Sequence, residues 1–401
     1  MEDTGNKKPL GLYLHIPFCR RKCLYCDFLS APAGEETVEN YVEALCRQIR
    51  EEAEAFAGHE VRTVFLGGGT PSVLTADQMD RVLSAVRARY ALSDGAEVTA
   101  ECNPGTLDSK KLRGYRRAGI NRLSIGLQSA DDRELACLGR IHDYETFLRN
   151  YDQAREAGFS NLNVDLMSAL PGQTLESWMD TLEKVSALAP EHISAYSLII
   201  EEGTPFFERY GETAREAEKR KWPPLPDEDL DRRMYGETER FLRQKGYYRY
   251  EISNYARPGY ECRHNIGYWE RTDYLGLGLG AASLIDPYRW RIVGNLPEYF
   301  RFFGPDTDWK NPDPDGIRRD VQRLSEKERM EEFMFLGLRL TRGISLRRFR
   351  EQFGRGLREV YGAALEKLER EGLIAFSEDG KRLRLTARGI DVSNYALAEF
   401  L

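Results

Sequence analysis

The chain has 401 residues, 58 Lys plus Arg against 65 Asp plus Glu, a net charge of −7, and is 41% hydrophobic and 31% charged. That length supports a sizeable core and that apolar share belongs to a globular protein, so a disulfide-stapled miniprotein, wholesale disorder and a collagen-like chain are excluded. The acidic balance leaves no overall positive field to gather nucleic acid or anionic lipid. The longest apolar run, Tyr274 to Ile285, holds 12 residues including three glycines, too short for a bilayer, and the start MEDTGNKKPL lacks a signal-peptide core, so the expected address is the cytoplasm.

Between residues 11 and 200, short β-branched runs alternate with helix-period segments, the pattern of repeated βα units around a parallel sheet. The predicted strands are Gly11–Ile16, Val61–Leu66, Ala96–Glu101, Arg122–Gly126, Asn161–Met167 and His192–Ile199. Between them, helices are predicted at Val38–Phe56, Ala76–Tyr90, Ser109–Ala118, Tyr144–Ala157 and Leu175–Ala187. Six such units fit an open doubly wound sheet or an incomplete (β/α) barrel, and either carries its site at the carboxyl ends of the strands. Polar and glycine-rich residues gather there: Cys19 after the first strand, Gly67-Gly68-Gly69-Thr70-Pro71 after the second, Glu101 and Asn103 after the third, Gln128 after the fourth, Asp165 in the fifth.

The stretch from Glu201 through Trp222-Pro223-Pro224-Leu225-Pro226 reads as a connector, because closely spaced prolines continue neither a helix nor a central strand. Beyond it the βα repeat stops. Residues 227–303 read as a helix, a strand near Tyr247–Ile252 and a glycine-punctuated segment, followed by a Pro/Asp-rich linker over 304–316. From Leu324 the chain predicts a helical block with a hairpin, Gly372–Thr386, which together suggest a winged-helix-like module. The expected organisation is therefore 1–225 (barrel), 226–303 (extension), 304–323 (linker) and 324–401 (C-terminal domain). Between Arg342 and Arg388, 12 basic residues face 7 acidic ones. Glu366, Glu369 and Glu371 alternate with the bases as on a solvated helix face, so no nucleic-acid partner is expected.

Of seven cysteines, Cys46, Cys102, Cys137 and Cys262 are scattered and read as buried thiols. Cys19, Cys23 and Cys26 form a C-x3-C-x2-C loop after the first strand. Structural zinc wants a fourth protein ligand, usually in paired C-x2-C knuckles, and none is present. Three thiolates on one loop suit three irons of a [4Fe–4S] cluster and leave the fourth open, with Arg20, Arg21 and Lys22 offsetting negative charge.

With Tyr13-Leu14-His15-Ile16-Pro17-Phe18-Cys19, this loop and the GGGTP segment resemble the radical S-adenosylmethionine (SAM) superfamily. Ser124-Ile125-Gly126-Leu127-Gln128-Ser129, Asn163-Val164-Asp165-Leu166, Leu170-Pro171-Gly172-Gln173-Thr174 and the C-terminal block are similar to the branch that holds oxygen-independent coproporphyrinogen III oxidase and the HemW-type heme chaperones. The resemblance implies a partial (β/α)6 barrel of the radical SAM type, with the C-terminal winged-helix-like domain mostly helical. It implies Cys19, Cys23 and Cys26 as cluster ligands, with SAM chelating the open iron. Gly68, Gly69 and Thr70 would admit its close approach, and Glu101, Gln128, Arg140 and Asp165 would serve its carboxylate, ribose and sulfonium region. Tyr13 would pack on the cluster and Tyr25 on the adenine.

Two features divide the branch. The oxidase continues its loop as C-x3-C-x2-C-x-C after a long N-terminal arm, whereas here Asp27-Phe28 follows Cys26 and Cys19 stands near the start. The second is His264-Asn265-Ile266-Gly267-Tyr268-Trp269, similar to a block of HemW-type proteins, in which His264 is a candidate axial ligand for heme iron beside two flat aromatic faces. Gly276, Gly278 and Gly280 lack the βαβ setting of a dinucleotide fingerprint and read as close-approach glycines. The leading reading is a heme chaperone without required turnover, carrying a [4Fe–4S] cluster and exchangeable SAM. Its partners are heme and a heme-acceptor protein, a membrane-associated acceptor being one option. The alternative is a radical SAM oxidative decarboxylase of coproporphyrinogen III or a related porphyrin.

Overall fold

The computed structural model describes residues 7–212, 221–305, 307 and 316–401. Within the first unit come β1 (Lys8–Ile16), α1 (Glu35–Glu52), β2 (His59–Gly68), α2 (Ala76–Arg89), β3 (Leu92–Cys102), α3 (Ser109–Arg117), β4 (Arg122–Gln128), α4 (Asp132–Cys137), α5 (Tyr144–Glu156), β5 (Leu162–Ser168), α6 (Leu175–Ala187) and β6 (His192–Ser197). Capping explains where the helices start. Thr75 and Gln78 form a reciprocal capping box on α2, and the Asp108, Asp131 and Asp143 carboxylates accept backbone N–H groups at the next three starts after it. Helix α4 was not predicted, because six residues are too few to display a helical period.

Strands β1 to β6 pair in parallel, in sequence order, without reversal. A doubly wound sheet needs a point where strand order reverses, so this sheet is the partial (β/α)6 barrel. Its strands are covered on both faces: all of β4 but its last residue is buried.

The sheet then extends further than the sequence suggested. After α7 (Pro205–Tyr210), within the expected connector, and α8 (Glu228–Gln244) come β7 (Tyr248–Glu251), β8 (Asn254–Ala256), α9 (Arg263–Trp269), β9 (Tyr274–Leu277), β10 (Ala282–Ile285), β11 (Tyr288–Ile292), α10 (Leu296–Phe303) and β12 (Arg318–Arg323). β8 pairs with β6 on one side, and β9 lies parallel to β1 on the other, giving a 12-stranded sheet in the order β12-β11-β10-β9-β1-β2-β3-β4-β5-β6-β8-β7. Residues 318–323 were expected in the linker and instead form the edge strand β12. Its sequence, RRDVQR, carries no buried side chain, so no apolar alternation announces it. The remaining linker residues, 306 and 308–315, and the connector residues 213–220 lie outside the described residues.

The C-terminal block contains α11 (Glu326–Gly337), β13 (Ile344–Ser345), α12 (Leu346–Phe353), α13 (Leu357–Arg370), β14 (Ile374–Phe376), β15 (Arg382–Leu385), α14 (Ala387–Asp391) and α15 (Ser393–Ala398). Its helices and the antiparallel sheet β13-β15-β14 enclose a core of their own, centred on Phe333, Phe349, Leu365 and Leu383. The block grips α9. Arg271 at the end of that helix is buried and bonds Glu332 of α11 at 2.8 Å, Arg342 and Arg348 pair with Glu270, and the Arg339 guanidinium lies 4.5 Å from the Trp269 ring centre. Arg342 and Arg348 of the basic stretch are thus paired with an acidic residue outside it.

Helices α2 and α3 touch at Gly114, where an added Cβ would lie 2.4 Å from the Ala76 Cβ. Alanine gains about 1 kcal/mol of helix propensity over glycine, but overpacking costs about 1–3 kcal/mol. Gly114→Ala is therefore expected to lower the urea unfolding midpoint, and an increased midpoint would refute the close packing.

Candidate functional site

The cysteine loop leaves the carboxyl end of β1 and is closed at its base by Cys19 N–H to Ala31 O (3.2 Å) and Ala31 N–H to Pro17 O (3.0 Å). Its middle is pinned by Leu24 N–H to Leu138 O (3.1 Å) and Phe206 N–H to Leu24 O (3.0 Å). Arg20 donates to Gly105 O at 2.8 Å, Arg21 to Arg140 O at 2.9 Å and Lys22 to Phe28 O at 3.0 Å. These cations, expected to offset cluster charge, also brace the loop against neighbouring carbonyls. His15 Nε2–H donates to Leu29 O at 2.9 Å, which leaves Nδ1 to accept from the Tyr13 hydroxyl at 3.1 Å. Sequence reasoning missed this clamp, although His15 stands inside the motif that carries the resemblance.

Cys19, Cys23 and Cys26 line one cavity of about 340 Å³ together with Tyr25, Gly68, Gly69, Thr70, Glu101, Gln128, Arg140 and Asp165. Every predicted contact residue except Tyr13 and His264 is therefore brought to one place. Thr70 Oγ1 donates to Cys19 Sγ at 3.4 Å and accepts from Asn103 Nδ2 at 2.8 Å; Asn103 Oδ1 accepts from Arg140 at 2.7 Å, and Arg140 Nη1 reaches Cys23 Sγ at 3.6 Å. A single polar chain thus links two cysteines. Asn103 is its hub, and its rim position was the signal available in the sequence.

Backbone geometry makes this site expensive to alter. Gly68 has φ +109°, and a Cβ there would sit 2.5 Å from the His15 ring; at Gly69 it would sit 2.7 Å from Phe18 O. These glycines let the chain's own β1 approach, whatever else they admit. Gln128 holds φ +74° at the end of β4, a left-handed conformation uncommon for a residue with a side chain. Gly126 must be small because a Cβ would meet Asn103 and Gln128 side chains at 2.9 Å.

Burial and the neighbouring Asp165 push the Glu101 carboxyl up to about 8, against a hydrogen bond from Gly68 N–H that favours its charged form. Burial also raises Asp165, despite hydrogen bonds from Ser124 (3.0 Å) and Asn163 (2.7 Å). Two half-buried carboxyl groups facing a cavity are suited to a cationic, hydroxyl-bearing ligand. Burial pushes the Cys26 thiol up as well, so it is protonated at neutral pH until a metal displaces the proton.

Tyr13 and His264 lie elsewhere. Both line a second cavity inside the barrel, of about 230 Å³, whose walls include Glu101, Asp165 and Tyr196 of the first. Tyr13 does not reach the cysteine cavity: side chains two apart on a strand share a face, so it points with His15 into the barrel while the cysteines lie beyond the strand end. His264, on α9, is buried, with Nδ1 bonded to Thr63 Oγ1 (2.8 Å) and Nε2 to Tyr268 (2.9 Å), its ring stacked on Phe65 at 5.0 Å. Burial and Arg122 drive its pKa down to about 3, so it is neutral. An axial ligand needs a free nitrogen, and in this conformation Thr63 and Tyr268 engage both nitrogens of His264. Gly276 and Gly278 pack against Ala282 O and Tyr41 OH, as close-approach glycines of the sheet. Of the scattered cysteines, Cys46, Cys102 and Cys262 are buried and Cys137 is half-buried, all as free thiols.

The residues fit an iron–sulfur cluster with SAM. The three thiols border one cavity, as ligands to separate irons must. Arg140, which borders the cavity, has its Nε buried without a hydrogen bond of good geometry.

Residues 13–185 match the family model of the Radical SAM superfamily, and residues 324–392 that of the HemN C-terminal domain. The chain is 34% identical over 395 residues to the heme chaperone HemW of Lactococcus lactis subsp. lactis (strain IL1403), covering 98% of each chain. It is 42% identical over 274 residues to HemW of Escherichia coli (strain K12), covering 68% of this chain and 69% of that one. A mitochondrial radical S-adenosyl methionine domain-containing protein 1 of Mus musculus is 36% identical over 401 residues, with 98% and 87% covered. The solved structure of the radical SAM enzyme coproporphyrinogen III oxidase (HemN) from Escherichia coli matches with a TM-score of 0.81 at 25% identity, covering 98% of this chain and 90% of that one. The superfamily match implies a [4Fe–4S] cluster and SAM. Because the likeness runs the whole length of both chains and spans barrel and C-terminal block alike, this chain belongs to the HemW family of radical SAM proteins.

Proposed function

We propose that the protein is a heme chaperone that holds a [4Fe–4S] cluster with exchangeable SAM, binds heme and passes it to an acceptor protein. The observation that carries this reading is full-length identity to heme chaperones named HemW. It is supported by the loop ending Cys26-Asp27-Phe28, which lacks the further cysteine of the oxidase pattern. Cys19, Cys23 and Cys26 would hold the cluster, which when bound supplies an open iron for SAM and a one-electron donor. Thr70 and Arg140 donate toward the Cys19 and Cys23 sulfurs and hold them at the cavity. Glu101 and Asp165 supply acceptors, Gln128 and Arg140 orient, and Tyr25 forms an apolar wall. Among the described residues no helix is long and apolar enough to cross a membrane. We place the protein in a reducing compartment, the cytoplasm, because its cysteines are free and an open-iron cluster is oxygen-sensitive.

After anaerobic reconstitution, Cys23→Ala is expected to lose bound iron and the visible charge-transfer absorbance, whereas Cys46→Ala keeps both. Retention by Cys23→Ala would overturn the ligand set. A cationic ligand binds ionised Glu101, so SAM affinity in equilibrium dialysis should rise with pH toward about 8 and then level off. Below that value the slope reaches at most about tenfold per pH unit. Glu101→Gln should flatten the dependence, and an unchanged slope would assign the titration to another group.

Heme titration should give a Soret band at the same position in wild type and His264→Ala, since both ring nitrogens are engaged inside the fold. A shifted band would show that α9 opens to release the ring. No heme binding in the wild type would overturn the chaperone reading. Formation of protoporphyrinogen from coproporphyrinogen III would then favour the oxidase reading that the HemN likeness supports.

A further inference from the structure

Beside the cysteine cavity lies a narrow cleft with about 20 Å³ of open space, bordered by Cys23, Thr70, Asn103, Thr106, Arg140 and His142. His142 is 7% exposed, and neither ring nitrogen makes a hydrogen bond of good geometry to the protein. The Leu127 carbonyl is close by, but it can serve only one of the two. Arg140 presents a second orphan. Its Nη1 is directed at Cys23 Sγ and its Nη2 at Asn103 Oδ1 and Gly126 O, and the guanidinium also interacts with the Tyr25 hydroxyl, while the buried Nε–H makes no hydrogen bond of good geometry. A buried polar atom left unpaired costs about 1–3 kcal/mol. Both residues border this one cleft, so a single missing partner between them would serve both. A water needs about 10–15 Å³ and two to four polar neighbours, and this cleft offers both.

We propose that one resident water occupies the cleft, accepting from Arg140 Nε–H and donating to a His142 ring nitrogen and to the Cys23 sulfur. His142 is then a positioning residue that acts on the cluster through this water. Hydrogen bonds to thiolate sulfurs stabilise the more negative, reduced form of a cluster and raise its potential. The Cys23 corner would carry two such donors, Arg140 and the water. The potential effect rests on the assignment of Cys23 as a cluster ligand; the water does not, since the orphan atoms exist without iron.

The test is an anaerobic crystal structure of the wild-type protein, with or without iron, together with EPR-monitored redox titration of reconstituted wild type, His142→Leu and His142→Gln. Density for a water within hydrogen-bonding distance of His142, Arg140 Nε and Cys23 Sγ is expected. So is a potential that moves to more negative values in His142→Leu and returns toward wild type in His142→Gln. A dry cleft, or equal potentials in wild type and His142→Leu, overturns the proposal. A wild type that assembles no cluster refutes the ligand assignment alone, and the crystal structure still decides the water. If His142→Leu does not fold, the wild-type density and His142→Gln decide.

Discussion

The contact on which the site depends is between two backbones. Beyond the end of β1–β2 pairing, Gly69 N–H donates to Ile16 O and Thr70 N–H to Phe18 O, both at 2.8 Å, so the GGGTP turn is laid directly along the root of the cysteine loop. Side chains would forbid it, because a Cβ at Gly68 or Gly69 would overlap the His15 ring or the Phe18 backbone. From this seam Thr70 reaches Cys19, Asn103 reaches Thr70, and Arg140 joins Asn103 to Cys23. The positions of two cysteines are therefore set by polar groups drawn from the loops after β2, β3 and α4.

The same strand separates two chambers. Tyr13 and His15 face inward from β1 while the cysteines lie past its end, so the polar interior containing Tyr13, Arg122 and His264 is a neighbour of the cysteine cavity rather than part of it. Glu101 and Asp165 belong to both, and desolvation inside the barrel raises the pKa of each. Helix α9 floors the inner chamber and is held from outside by Glu332, Arg339, Arg342 and Arg348 of the C-terminal block. Within the HNIGYW segment His264 bonds Thr63 of the barrel while Trp269 meets Arg339 of the C-terminal block, so those two residue types have structural partners on either side.

The barrel and the cysteine site were legible in the chain because their signals are local. Six apolar runs separated by capped helices, three cysteines within eight positions and five glycine, threonine and proline residues in a row each declare themselves within a few residues. Strand β12 and helix α4 did not, the first because an exposed edge strand has no apolar period and the second because it is too short to have one. Asn103 was visible only as a polar residue at a strand end, and His15 only as part of a motif.

Sequence by itself determined the repeat, the three candidate ligands and the rim residues, since covalent spacing and strand order place them at one end of the sheet. Tertiary structure decided which side of β1 each aromatic faces, that Tyr13 and His264 share an inner chamber, and that both nitrogens of His264 are already engaged by Thr63 and Tyr268. Those partners are 201 and 4 residues away along the chain. The Tyr268 contact is local to the helix, but the Thr63 contact is of a range that no local pattern encodes, and it takes up the second nitrogen.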